Sequence, residues 1–584
     1  MSARDDDVRV RPGRIRSGGQ SAGKAQSFVG QVMRAAKKAG HSGRRFGASG
    51  GGRSTFGRGR VATVSATLRS PSRRVLVKTR IARHRGTAFR SAPLATHVRY
   101  LQRDGVSRDG SPGAMFDAEG DEADGKSFAV RCEGDRHHFR FIVSPEDADR
   151  MQDLRAFTRD LMADAERDLG SKLDWVAVDH HNTDNPHVHI LVRGRTEGGE
   201  DLVISRDYLT RGLRGRAEEL VSLELGPRTE QEIGAALERE VSAERWTSLD
   251  RALRSQADRD GGVVDLRPGG PAYAELPLRR LMIGRAQHLE RLGVANPIGP
   301  AQWSLAPGAE STLRALCERG DIIRTMHRAL GRSGREPAIA DFAIHGEAAQ
   351  PNVLGRLADR GLHDELAGSA YVVIEGVNGR SHHLRFASLE ATGDAEPGAI
   401  VEAPSFEGAD GNRRLTLSVR SDLTLAEQVT ASGATWLDRQ LVAREAAPLA
   451  GSGFGAEVRS ALDARAEHLA GEGLARRQGQ RIVMARDLLD TLQRRELDAA
   501  ASRLSAETGL AHRPGAAGDH VGGVYRQRVT LASGRFAMID NGLGFELVPW
   551  KPALERQLGE RMQGVMLPGG GVDWDTRRSR TLSI

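Results

Sequence analysis

The chain has 584 residues, enough for three or four domains, with 39% hydrophobic and only 4% aromatic residues. Its net charge of +8 is unevenly placed: residues 1–90 hold 22 Lys and Arg against three acids, Asp5 to Asp7, so the remainder is net negative. Two cysteines, Cys132 and Cys317, exclude a disulfide framework, and no apolar run of 18 residues marks a membrane span, so the expectation is a cytoplasmic protein without membrane insertion.

Residues 1–74 read as a disordered basic arm, rich in Gly, Ser and Arg, with a short helix around 27–39. Such an arm favours a polyanion, and nucleic acid is the commonest. A first globular domain is expected over 75–225. In it, PLATHVRYLQRD (93–104) has Leu94, Val98 and Leu101 at helical spacing, and FRFIVS (139–144) reads as a strand. Ser144-Pro145-Glu146-Asp147 reads as a helix start, with Ser144 as N-cap and the helix running to about Asp168. WVAVDH (175–180) and HVHILVR (187–193) read as strands, and Ser205 as the cap of another helix. Beyond lie a helical region (226–350), a small β-rich domain (351–450) and a C-terminal α/β region (451–584). No internal repeat of fixed period is evident.

The strongest chemical signal is DHHNTDNPHVHILV, residues 179–192. Residues two apart on a strand share a face, so His187 and His189 point one way while Val188, Ile190 and Val192 point into a core. A hairpin symmetric about 181–186 sets His180 opposite His187 and Val178 opposite His189. Three imidazoles then share one face and can hold a divalent metal with positions left open. His181 has the opposite parity and is left out. The bland alternative is a set of surface histidines beside a turn.

A metal site of this kind suits phosphoryl chemistry, which needs a nucleophile. Of five tyrosines, Tyr100 is the candidate, because Arg99 and Arg103 flank it as candidate phosphate contacts; Tyr208 is second. Ser144 is either the cap already described or a hydrogen-bond donor to phosphate. GDEADGKS (120–127) fits a phosphate-loop spacing, yet no strand precedes it and its acids repel phosphate, so Lys126 is not assigned to nucleotide. Cys132, Glu133, Asp135 and His137 match no usual ligand spacing.

HVRYLQRDG, FRFIVSPED and HHNTDNPHVHILV together resemble, in order, three motifs of plasmid-mobilisation relaxases of the P-type branch, which includes the T-DNA border endonuclease. The resemblance covers residues 97–192 and implies a relaxase domain over 75–225. It implies an α+β fold of the HUH type, with a central antiparallel sheet, flanking helices and the histidines on its face. It also implies that Tyr100 and Ser144 are catalytic and that His180, His187 and His189 bind manganese or magnesium, with zinc as another fit. The tyrosine would attack single-stranded or melted origin-of-transfer DNA and leave a 5′-phosphotyrosyl link. Relaxosome accessory proteins and a type IV secretion coupling protein would be the partners. Asn182 stands where the family has aspartate. The C-terminal region resembles the tail of a proteobacterial relaxase subgroup. A rolling-circle replication initiator, a water-using hydrolase and a DNA-binding scaffold without catalysis are the rival readings.

Overall fold

The computed structural model describes residues 68, 70–83, 92–103, 106–181, 185–268, 276–332, 338–346, 352–407, 413–445, 447–479, 481–568 and 570–575. Most of the basic arm, with its short helix, lies outside these residues, as do Asn182 and Asp184; its end is packed rather than disordered, since Leu68 is buried and the buried Arg73 pairs with Asp147 and Glu232. The chain divides into two compact units, residues 1–243 with 247–305, and 244–246 with 306–584.

The first unit is built on a four-stranded antiparallel sheet of order β1-β2-β4-β3, with β1 Val75–Arg83, β2 His137–Pro145, β3 Trp175–His180 and β4 His187–Arg193. Alternation along the strands sends Phe139, Phe141, Val143, Trp175, Ala177, Val188, Ile190 and Val192 to one face. That face is closed by two helices, Leu154–Leu169 and Leu213–Leu225. The first of these buries Leu154, Phe157, Leu161 and Ala165, a stripe with the helical repeat. The opposite face carries Val176, Val178 and Leu191, covered by α1 (Ala92–Leu101) and α2 (Gly125–Arg131) through Leu94, Val98, Leu101 and Phe128.

One expected boundary is corrected here. Ser144 and Pro145 do not start a helix; they continue β2 and pair with Leu76 and Val75. The helix, α3, begins at Leu154, where the Asp153 carboxylate accepts the amides of Arg155 and Ala156. Strand pairing outcompetes a favourable local cap.

After α4 (Leu213–Leu225) the chain builds a three-helix unit: α5 (Glu230–Val241), α6 (Ser248–Ala257) and α7 (Leu276–Arg291). A small sheet of order β5-β7-β6 completes it, with β5 Val263–Asp265, β6 Ala295–Gly299 and β7 Gln302–Leu305. The region expected to be helical thus contains a hairpin.

The second unit opens with α8 (Ala309–Gly331) and a six-stranded sheet, order β15-β12-β9-β10-β11-β8. Its strands are β8 Phe342–Ile344, β9 Val353–Asp364, β10 Ser369–Gly376, β11 Ser381–Phe386, β12 Ile400–Ala403 and β15 Ser418–Ser421; β13 Ser405–Glu407 and β14 Arg413–Leu415 form a separate hairpin. Next come α9 (Leu425–Thr430), α10 (Trp436–Leu441), α11 (Gly453–Gly471), a hairpin of β16 (Ala475–Gln478) and β17 (Arg481–Met484), and α12 (Leu488–Thr508). A five-stranded sheet ends the chain: β18 His520–Leu531, β19 Gly534–Asp540, β20 Phe545–Pro549, β21 Arg561–Met566 and β22 Val572–Trp574.

The structure reveals a duplication that periodicity does not. In each three-helix unit a threonine opens the second helix with a capping box, Thr247 with Asp250 and Thr435 with Asp438. In each, that aspartate takes a two-pronged ion pair from a fully buried arginine of the third helix, Arg285 at 2.7 and 2.8 Å and Arg465 at 2.8 and 2.9 Å. The same guanidinium also binds backbone carbonyls, of Val241 and Ala243 in one copy and of Val429, Ala431 and Gly433 in the other. Glu240 and Gln428 hold the amides of Leu249 and Leu437 alike. The third helices read RAQHLERLG and RAEHLAGEG, each ending in a left-handed glycine, Gly293 and Gly473. The aspartate and arginine lie 35 residues apart in one copy and 27 in the other, so no fixed period exists to be found.

Candidate metal centre

The hairpin of β3 and β4 has the register the sequence predicts: His180 pairs with His187 and Val178 with His189. All three imidazoles fall on the sheet face shared with Val176, Val178 and Leu191, at the end where the apolar cover of α1 and α2 gives way. Their ring centroids stand 4.5 to 5.4 Å apart, and one nitrogen from each lies within 4.8 Å of the others. All three are buried, His180 completely. This group can hold a metal ion.

The surrounding bonds suit that role. His180 Nε2 lies 2.8 Å from the Leu101 carbonyl and His187 Nδ1 lies 3.0 Å from the Asn185 carbonyl. An imidazole that gives one nitrogen to a carbonyl is fixed in tautomer and orientation, and presents the other to a ligand. A metal would therefore meet His180 through Nδ1 and His187 through Nε2. A loop crosses close over the Leu101 carbonyl. At Gly113 a Cβ would stand 2.8 to 2.9 Å from Val106, the Leu101 carbonyl and Val178, so this crossing needs glycine. Val106 in turn accepts the His181 amide, 2.7 Å.

Tyr100 precedes Leu101 at the C-terminal end of α1, so the helix end that binds His180 also carries this tyrosine. Its ring lies under the Arg103 guanidinium at 4.1 Å, and Arg103 also donates to its carbonyl. Arg99 is exposed on the same last turn. Ser144 lies on the histidine face of β2, and its hydroxyl donates to the Pro186 carbonyl, 3.2 Å, next to His187. His181, as expected, is turned away and bonds Asp179 at 3.1 Å. Tyr208 packs against the opposite face of the sheet. Its phenol donates to Asp168, and burial together with that carboxylate pushes its pKa well above the usual range. Tyr371 and Tyr525 belong to the second unit; Tyr273 lies outside the described residues.

Sequence reasoning missed a basic strip beside the histidines. Strand register puts Leu76, Lys78 and Arg80 of β1 on the same face as Ile142, Arg140 and Ser144 of β2. Lys78 and Arg80 are exposed. The alternation VLVKTRIAR carries this signal, legible once β1 is known to be an edge strand with one face in the core.

The phosphate-loop spacing at 120–127 is a helix cap. Asp124 accepts the Lys126 amide and the Ser127 hydroxyl, occupying the groups a phosphate would use. The second cysteine–acid group also dissolves. Asp135 binds Arg193 and Arg195, and burial pushes the Cys132 thiol up to about 12. No described helix is long and apolar enough to cross a membrane.

A family model described as a protein of unknown function (DUF3363) matches residues 282–410 and 402–583, together just over half of the chain. The match starts inside α7 and leaves the histidine-bearing sheet outside it. No curated protein and no solved structure matches the chain.

Proposed function

We propose, for a chain that belongs to the DUF3363 family of proteins of unknown function, that its first unit is a relaxase, nicking DNA by tyrosine transesterification for plasmid mobilisation. The observation that carries this is the buried cluster of His180, His187 and His189, locked at one corner to the end of the helix that bears Tyr100. The exposed Lys78 and Arg80 supply charge for a DNA backbone crossing the same face.

A divalent ion held by the three imidazoles would draw charge from the non-bridging phosphate oxygens. The Tyr100 hydroxyl attacks phosphorus in line and loses its proton. The bond from phosphorus to the 3′ oxygen breaks, and that oxygen leaves as a 3′-hydroxyl after taking up a proton. The product is a 5′-phosphotyrosyl ester, which keeps the bond energy for rejoining by the reverse step. Arg103, stacked over the Tyr100 ring, limits the directions the phenol can take.

The test is a denaturing gel of full-length protein incubated with Mn²⁺ and labelled single strands tiling a transfer origin. A covalent adduct lost with EDTA and with Tyr100→Phe is the expected result. Cleavage without an adduct would replace this reading with a hydrolase, and an adduct that survives Tyr100→Phe would move the nucleophile elsewhere.

A further inference from the structure

The duplicated three-helix units share one scaffold but not one surface. In both, the inner side of the hairpin is tied to a glutamate of the third helix. Trp303 donates to Glu290 at 2.9 Å in the first copy, and Arg477 to Glu467 at 2.6 Å in the second. The hairpins differ in charge. Residues 295–305, ANPIGPAQWSL, contain no charged side chain, whereas 475–486, ARRQGQRIVMAR, contain four arginines and no acid.

Register shows where this charge points. Arg476 pairs with Val483 and Gln478 with Arg481, which puts these four side chains on one face of the ribbon. All four are exposed. On the other face Ala475 and Met484 pack with Leu469, Leu474, Leu488 and Leu492, and Arg477 lies on Glu467. Arg486, also exposed, follows the ribbon directly. Asp463 and Glu467 sit on the third helix behind the inner face, and two exposed acids flank the ribbon in sequence, Glu472 before Ala475 and Asp487 directly after Arg486.

We infer that the outer face of the 475–484 hairpin, with Arg476, Gln478 and Arg481, is a docking surface for double-stranded DNA. A two-stranded ribbon fits the width of the major groove, and arginine and glutamine are side chains that bond phosphates and base edges there. Residues 475–486 hold no aromatic ring. Single strands are held largely by stacking on aromatic rings, so this surface suits a duplex. The neutral hairpin of the first copy shows that the scaffold does not itself require the arginines.

Full-length protein in EDTA would be titrated with a labelled 24-base-pair duplex of arbitrary sequence, and with one of its strands alone, over a range of salt. Removing two phosphate contacts lowers the log–log salt slope by about 2. Arg476→Gln with Arg481→Gln should therefore weaken duplex binding about tenfold at moderate salt and reduce its salt slope by about 2, with single-strand binding unchanged. The same charge change at Arg314 and Arg319, exposed on α8, should leave both affinities alone. An unchanged duplex affinity, an equal loss for duplex and single strand, or an equal loss from the α8 pair would overturn the inference. No cleavage is read, so the outcome is independent of the nicking proposal.

Discussion

His180, His187 and His189 differ in what holds them, and that fixes what each substitution should do. His180 is fully buried and tied to the Leu101 carbonyl; His189 sits in the middle of the cluster, with the shorter centroid distance to each neighbour. His189→Ala should lower affinity for Mn²⁺ or Zn²⁺ at least tenfold in a calorimetric titration. Retention of full affinity would remove the metal site. Gly113 is a second point of leverage. Gly113→Val would push into the Leu101 carbonyl, and overpacking of this kind costs about 1–3 kcal/mol. Its urea midpoint should fall, and its metal affinity should fall with it, because the same carbonyl orients His180. The histidine cluster was legible because alternation on a strand is a local rule. The Leu101 contact was not, since it joins residues 79 apart and depends on a loop with no regular pattern.

At the level of elements, the β3–β4 hairpin followed from its own residues, down to the pair of His180 with His187. Ser144 shows the opposite case. Ser-Pro-Glu-Asp is a good helix start in isolation, but β1 supplies a partner through Pro145. From sequence the first three-helix unit reads as a plain helical region and the second is split between a β-rich domain and a C-terminal α/β region, because a buried ion pair leaves only one aspartate and one arginine in each copy, far apart in sequence. Breaking either pair strands a charge without solvent, which costs about 3–5 kcal/mol. Asp250→Ala and Asp438→Ala should each lower the stability of their own unit by that amount, measured by urea denaturation. The double replacement Asp438→Leu with Arg465→Met should recover much of the loss. If Asp438→Ala unfolds no more easily than the parent chain, the ion pair is not what closes the unit.

At the level of the whole molecule, acid should act on the second unit through its buried histidines. In the second unit, burial lowers His382 to about 4 and His383 to about 3, with His345 next to His382 and with His363 and Arg385 near His383 adding to it. Unfolded, both titrate near 6.5. As pH falls below 6.5 the unfolded chain takes up protons that the folded sheet refuses, so stability present above 6.5 drains away toward 4. Each imidazole contributes at most about 1.4 kcal/mol per pH unit. Urea midpoints at pH 7.5 and 5.5 should show this drop, and His383→Gln should flatten it. An unchanged slope in that variant would assign the acid sensitivity elsewhere. The twin arginine locks carry one more consequence, for how the chain reaches its native state. Before either unit closes, Arg285 matches the Asp438 cap as well as Arg465 does, since both caps offer a threonine, a carboxylate and a ring of carbonyls. Mispairing between copies is thus the expected misfolded state, opposed by the side chains that differ around the locks, Ser248 against Trp436 and Glu240 against Gln428.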